Sequence, residues 1–260
     1  LFALMLGFVT ACSEAPPAQQ GPLTYDQIHG TGLAAICPEV KTTTRGKIEV
    51  PAGKGLKLDD VCLQPVSIDV EEEKRTGEKQ FVSTKRFIIP GATLGPIQAE
   101  VRSEGGGLAF DVLDGMTFQA TTVELPGRER VPLLFSAIDF KGKATSAGAI
   151  DSSTDFEGKF SVPGYRGSTF LDPRGRGTET GYEAVVGLQA AQEDYPEGSL
   201  KVDELTEGDM SIQIARVDPA TGEIGGSFVS YQMSSDEQKT LEPHLVRIQG
   251  IFYGRVADDA

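Results

Sequence analysis

The stretch Met210-Ser211-Ile212-Gln213-Ile214-Ala215-Arg216-Val217-Asp218-Pro219-Ala220-Thr221-Gly222-Glu223-Ile224-Gly225-Gly226-Ser227-Phe228-Val229-Ser230-Tyr231-Gln232-Met233 reads as two strands and the turn between them. Met210 to Val217 and Gly226 to Met233 are the strands. Asp218 to Gly222 carries the Asp-Pro and Thr-Gly chemistry of a turn, so the unit is a hairpin. Working outward, the same grammar recurs. Lys47 to Val50 and Val66 to Val70 alternate apolar and polar residues, and Phe81 to Ile89 is rich in strand formers. Ile97 to Val101, Leu108 to Leu113, Met116 to Leu125 and Val131 to Phe140 follow with Gly or Pro between them. Later come Glu183 to Leu188, Ser199 to Val202 and Val246 to Val256. About ten short strands with turn chemistry between them predict an all-β sandwich or barrel. An antiparallel β-barrel is favoured, because closure removes exposed edges.

Two helical features accompany the strands. Thr24-Tyr25-Asp26-Gln27 is a capping box that predicts a short N-terminal helix, interrupted by Gly30 and Gly32 and stopped by Pro38. Asp236 to Leu241 predicts a helical turn. The chain has 260 residues, 31 Gly, 15 Pro and no Trp, a composition of many turns rather than long helices. Its net charge of −14 argues against nucleic acid as a partner, which needs basic stripes. The same charge suits a protein that meets basic patches on another.

The front of the chain reads as targeting sequence. Leu1 to Val9 is an apolar run of signal-peptide type, too short to span a bilayer. Val9-Thr10-Ala11-Cys12 fits a lipobox, which makes 1–11 the remainder of a lipoprotein signal and Cys12 the lipidated N-terminus. The Ala-, Pro- and Gln-rich segment up to residue 22 reads as a tether, and 23–260 as one barrel domain. Export leaves Cys37 and Cys62 as a pair with no third partner, read as one disulfide. In the chain-entropy picture it would stabilise the fold by about 3.5 kcal/mol.

A second kind of sequence runs from Thr154 to Tyr182. It opens as a strand, with Phe156, Phe160 and Val162 on one face. After Pro163-Gly164 no apolar period remains. Arg166, Arg174 and Arg176 sit among five glycines, with Tyr165, Phe170, Tyr182 and Asp172-Pro173 between them. Structureless loops of this length are functional or disordered, and the aromatics argue against disorder. The segment 163–182 is therefore read as a docking loop.

These residues resemble the signature of the manganese-stabilising protein family of photosystem II. That family carries Ser-Thr-Asp-Phe, Pro-Ser-Tyr-Arg, Phe-Leu-Asp-Pro-Lys-x-Arg-Gly and Gly-Tyr-Asp. The chain has Ser153 to Phe156, Pro163 to Arg166, Phe170 to Gly177 and Gly181 to Glu183, departing at Gly164, Arg174 and Glu183. Leu125-Pro126-Gly127-Arg128-Glu129-Arg130-Val131-Pro132 resembles the family's Leu-Pro-Gly-Gly-Glu-x-Val-Pro hairpin, with Arg128 in place of Gly. Thr221 to Ile224 and Ile248 to Tyr253 also match, and the resemblance extends from Leu23 to about Val256. A family lysine is lost where Phe135-Ser136-Ala137-Ile138 stands.

The resemblance implies a β-barrel with long loops at one end and a Cys37–Cys62 disulfide. It implies an extrinsic, non-catalytic subunit that stabilises the manganese-calcium-oxygen cluster without ligating it, with no bound cofactor beyond a calcium at the barrel mouth. Partners would be the inner chlorophyll-binding antenna proteins, reaction-centre subunits and other extrinsic subunits. The lipid anchor would add the membrane, on the thylakoid lumenal or periplasmic side. Partner-binding residues would be Arg166, Asp172 and Arg174, with Asp155, Lys159, Tyr165 and Arg176 beside them. Glu237 matches a proton-path carboxylate, although Ser235 replaces a nearby acid. A calcium site at the barrel mouth would fall on Glu72, Glu129 and His244.

The residues themselves mark out no enzyme. There is no Gly-x-Ser-x-Gly elbow or phosphate loop, and His29 and His244 are the only imidazoles. Acidic runs such as Glu71-Glu72-Glu73 read as solvated faces. Two other readings stand beside the resemblance. A lipocalin-like carrier would need an open apolar cavity inside the barrel. An extracytoplasmic enzyme, such as a carbon dioxide hydratase, would need zinc.

Overall fold

The computed structural model describes residues 36–86, 92–146, 148–163, 205–235 and 243–257. The chain divides into two units, Leu1–Ala34 and Ala35–Ala260, and the first lies outside the described residues. So do Cys12, the tether and the expected N-terminal helix. The docking loop beyond Pro163, the strands expected at 183–188 and 199–202, and the helical turn at 236–241 also lie outside them.

All described elements are strands: β1 (Ile48–Glu49), β2 (Leu56–Glu73), β3 (Lys79–Ser83), β4 (Lys85–Arg86), β5 (Leu94–Glu104), β6 (Gly107–Gly115) and β7 (Phe118–Glu124), then β8 (Arg130–Ser136), β9 (Ile138–Ala144), β10 (Ala149–Ile150), β11 (Asp155–Val162), β12 (Thr206–Asp218), β13 (Glu223–Met233) and β14 (Leu245–Val256). Eight of them close an antiparallel barrel in the order β14-β13-β12-β11-β9-β6-β5-β2, sealed by the pairing of β14 with β2. The long β2 pairs with β14 over most of its length, with β5 through its first half and with β3 through its last residues. A small sheet β4-β7-β8 and the pair β1-β10 complete the architecture.

The β12–β13 hairpin appears where the sequence placed it. Gly208, Met210, Ile212 and Ile214 turn inward, while Glu207, Asp209, Gln213 and Ala215 are exposed. A bulge between Ile214 and Arg216 then shifts the register, which returns Val217 to the core. The turn is tied by Asp218, whose Oδ1 accepts from the Ala220 amide at 2.9 Å.

The run Val131 to Phe140 is two strands, not one. The Ala137 amide donates to Thr117 O, Phe140 N donates back to Ala137 O, and Asp139 takes a left-handed φ of 54°. The chain turns a corner there. β8 belongs to the small sheet and β9 to the barrel wall. Ser136 and Asp139 stand at the corner, but both halves send apolar residues into the same core, so the run reads as one. The buried Ser136 hydroxyl helps hold the corner by donating to Ser161 O at 2.6 Å.

The barrel interior is filled. The Phe110 ring lies 5.3 Å from Phe156, 5.8 Å from Phe140 and 6.3 Å from Phe252, between centroids. Phe135 from β8 stacks on Phe228 of β13 at 5.7 Å. Each such ring contributes roughly 1.5–3 kcal/mol by burial alone. The rings need bare backbone opposite them: a Cβ on Gly208 would collide with the Phe160 ring, and one on Gly250 with Phe228 and Gln64 O. This packing removes the open apolar cavity that a lipocalin-like carrier requires.

Outside the wall, the segment from Cys37 to Gly46 crosses β2, β14, β13 and β12. The expected Cys37–Cys62 disulfide is present, with Cα atoms 5.7 Å apart. Cys37 N donates to Gln64 Oε1, Arg216 Nη1 to Val40 O and Gly46 N to Val217 O. Cys37, Val40, Cys62 and Tyr253 form a small second core beneath it. The Tyr253 hydroxyl donates to Glu223 Oε1 at 2.9 Å. Burial first, and then the bonded Glu223 carboxylate, push this phenol up to about 12.

Candidate functional site

Register gives the barrel two unlike ends. At one end the connections are short: 105–106 between β5 and β6, 145–154 around β10, and 219–222 between β12 and β13. At the other end every connection is long. It carries 74–93 with β3 and β4, 116–137 with the small sheet, 163–205 between β11 and β12, and 234–244 between β13 and β14. The pair Val162 and Thr206 places both ends of the 163–205 segment on this rim, and the pair Met233 and Leu245 does the same for 234–244.

The described candidates divide between the two halves. Glu72 near the end of β2, Glu129 in the β7–β8 hairpin and His244 before β14 all stand at the loop-bearing end. His244 Nε2 lies 3.5 Å from Glu129 Oε1, and its Nδ1 lies 3.3 Å from the Glu71 carbonyl oxygen. His244 and Ser234 also close the base of their loop: Ser234 N donates to His244 O and His244 N to Ser234 Oγ, both at 2.8 Å. Glu72 lines a cleft of about 270 Å³ with Glu73, Lys74, Gln80 and His244. The three implied calcium ligands are therefore neighbours, but they do not converge. Both imidazole nitrogens are engaged, and calcium takes six to eight oxygen ligands rather than nitrogen. Among the described residues no group of His, Cys, Asp or Glu is arranged to hold a metal ion.

Lys159 stands midway along β11, and its Nζ pairs with Glu207 Oε2 at 2.8 Å. That hydrogen bond, with the charge of Glu207, raises the lysine pKa. Asp155 begins β11 at the short-turn end, where its Oδ1 accepts from Ser211 Oγ at 2.9 Å. Seven residues of strand separate it from Val162, roughly 23 Å at ~3.3 Å per residue. Tyr165, Arg166, Asp172, Arg174, Arg176 and Glu237 lie outside the described residues.

Sequence reasoning missed a cluster on the outer wall. Arg247 donates through Nη2 and Nε to Asp69 Oδ2 at 3.0 and 3.3 Å, and Ser83 Oγ donates to Asp69 Oδ1 at 2.8 Å. The Arg247 guanidinium lies 4.5 Å over the Phe81 ring, which lies 6.1 Å from Tyr231. These residues come from four strands, and only the pairings Asp69–Ser83, Asp69–Arg247 and Arg247–Tyr231 bring them together. No local sequence signal marks them.

The chain is a packed, closed β-barrel module with the flanks of its long connections on one rim. Comparison with known proteins gives that module its family. Residues 21–256 match the family described as manganese-stabilising protein / photosystem II polypeptide. Photosystem II extrinsic protein O of a Nostoc species is 42% identical over 98% of this chain and 96% of its own length. The protein of the same name from Thermosynechococcus vestitus is 40% identical with the same coverage. The chloroplastic oxygen-evolving enhancer protein 1 of Chattonella marina var. antiqua is 40% identical over 91% of this chain and 77% of its own. The chain belongs to the manganese-stabilising protein family, whose members are extrinsic, non-enzymatic subunits of photosystem II that stabilise the manganese cluster without binding it themselves.

Proposed function

We propose that the chain caps the water-oxidising, lumenal face of photosystem II with the loop-bearing end of its barrel turned toward the complex. There it contacts the inner chlorophyll-binding antenna proteins, reaction-centre subunits and neighbouring extrinsic subunits. It protects the manganese-calcium-oxygen cluster by excluding bulk water and reductants. The observation that carries this reading is that the flanks of 163–205 and of 234–244 stand on one rim. The docking residues are Arg166, Asp172 and Arg174, with Tyr165, Arg176 and Lys159 beside them. Charged groups there fix orientation. Glu237, in the segment between Ser234 and His244, is the carboxylate of the proton-exit path.

Replacing Arg166 and Asp172 together with Ala tests the dock. Leaving a desolvated partner charge unpaired costs about 2–5 kcal/mol. Rebinding to depleted photosystem cores, and the oxygen evolution it restores, should fall, while thermal unfolding of the isolated protein stays as it was. Wild-type rebinding by the double variant refutes the dock. Early melting with proportionate loss of binding makes the residues structural instead.

The lipobox reading places a diacylated Cys12 in the thylakoid or cytoplasmic membrane, where two or more chains anchor stably. Intact-mass analysis of the mature protein should show the lipid increment, and its absence removes the anchor.

A further inference from the structure

Three successive residues of β13 turn inward, and the first and last of them meet β8 by different means. Phe228, Ser230 and Gln232 are 1%, 0% and 1% exposed. Phe228 stacks on Phe135. Gln232 Nε2 donates to the Leu134 carbonyl at 2.6 Å. Ser230 lies between them, flanked in register by buried Met210 on β12 and buried Ile248 on β14. Among the described residues its hydroxyl has no hydrogen-bond partner, and neither has Gln232 Oε1. The bond to Leu134 O fixes which end of the amide is the acceptor, so the orphan is an oxygen rather than a flipped nitrogen.

Among the described residues, two buried polar atoms without protein partners, one able to donate and one an acceptor, stand one strand period apart. Residues at this spacing lie roughly 6.6 Å apart along a strand. A water that accepts from one oxygen and donates to another at a near-tetrahedral angle spans about 4.5 Å between them, a separation open to two side chains on the same face of one strand. Protein interiors leave few such atoms unsatisfied, and where protein groups do not serve them an ordered water does. We propose that Ser230 and Gln232 hold one internal water molecule. It accepts from Ser230 Oγ–H and donates to Gln232 Oε1. The ring stack and the amide bond then form a seam between β13 and β8, with the water held between them by β13 alone. Because β8 continues from the hairpin bearing Glu129, the seam ties that hairpin to the wall.

The test counts long-lived waters in the intact protein by oxygen-17 magnetic relaxation dispersion, with a high-resolution crystal structure beside it. The wild type should show density within hydrogen-bond distance of both oxygens, and Ser230→Ala should lose one long-lived water. The melting temperature of Ser230→Ala should fall. Gln232→Met should lower it less in the Ser230→Ala background than in the wild type. An unchanged water count in Ser230→Ala overturns the proposal. So does a raised melting temperature, which is what relief of a truly unsatisfied hydroxyl would give. If Ser230→Ala does not fold, Ser230→Cys, close in shape but a poor donor, is read for the same loss of one water. Its retention of the full count also overturns the proposal.

Discussion

Arg128 has a left-handed backbone, with φ of 67°, at the tip of the β7–β8 hairpin. The loop is Pro126-Gly127-Arg128. Arg128 N donates to Leu125 O at 2.9 Å and Leu125 N donates to Glu129 O at 2.9 Å. That is a turn followed by one residue in the left-handed region, the position of a three-residue hairpin loop that asks for glycine. The resembled family has glycine there. An L-residue in this conformation costs roughly 1–2 kcal/mol, while glycine forfeits roughly 0.5–1 kcal/mol of extra freedom in the unfolded chain. Arg128→Gly should therefore stabilise by about 0.5–1 kcal/mol net. For a chain of this size that is a rise of about 1–4 °C in melting temperature. The Arg128 side chain is exposed, so little contact is lost. Thermal melting of the purified protein, with urea unfolding at unchanged slope, reads the effect. Arg128→Ala is the control, because alanine keeps the backbone penalty and should give no gain. If Arg128→Gly leaves the midpoint unchanged or lowers it, the strain argument is wrong. If Arg128→Ala gains as much, the cause is the side chain and not φ.

Two more expectations follow from the outer wall. Replacing Cys37 and Cys62 with Ser should lower unfolding stability by about 3.5 kcal/mol in the chain-entropy picture, read as a lower urea midpoint; an unchanged midpoint would mean the crossing segment holds without its staple. Tyr253 titrates higher folded than unfolded, so its contribution is complete below pH 10, lost as pH rises toward 12, and should vanish from the alkaline melting profile in Tyr253→Phe. Parallel profiles for the two proteins across that range would show that the phenol is not the group.

Strand content was legible in the sequence because the barrel has one buried and one solvated face, so alternation survives along β11, β12 and β14. It failed where that condition fails. β8 is buried at every position after Arg130, so its run merged with β9 across the Ala137 corner. The first half of β2 went unread because bulges opposite β5 break its period between Leu58 and Leu63. The site was legible only through resemblance. Glu129 and His244 lie far apart in sequence and meet because the β7–β8 hairpin and the β13–β14 connection share one rim. Asp69, Phe81, Tyr231 and Arg247 had not even a motif to mark them, since cross-strand register is set by the whole closed ring. The disulfide was the exception. Cysteine chemistry in an exported chain depends on count and compartment more than on tertiary geometry.

Among the described residues, the stability of the fold rests on the barrel wall. The wall is held by buried rings, the Cys37–Cys62 bond and the nearly buried Asp69 carboxylate under Arg247. Its exposed ion pairs, Lys159–Glu207, Lys74–Glu78 and Arg255–Asp60, add little to stability, because water and salt screen them. Charge on the rim can therefore change with small cost to the fold, while a change at Phe110 or Gly208 cannot pass unnoticed. A cap that must exclude water needs a body that does not deform, and a filled interior provides it more directly than a hollow carrier barrel would. Glycine in place of Arg128 should then stabilise the body while removing one exposed charge from the rim. Alanine at Arg166 and Asp172 should leave that stability as it is and weaken docking alone.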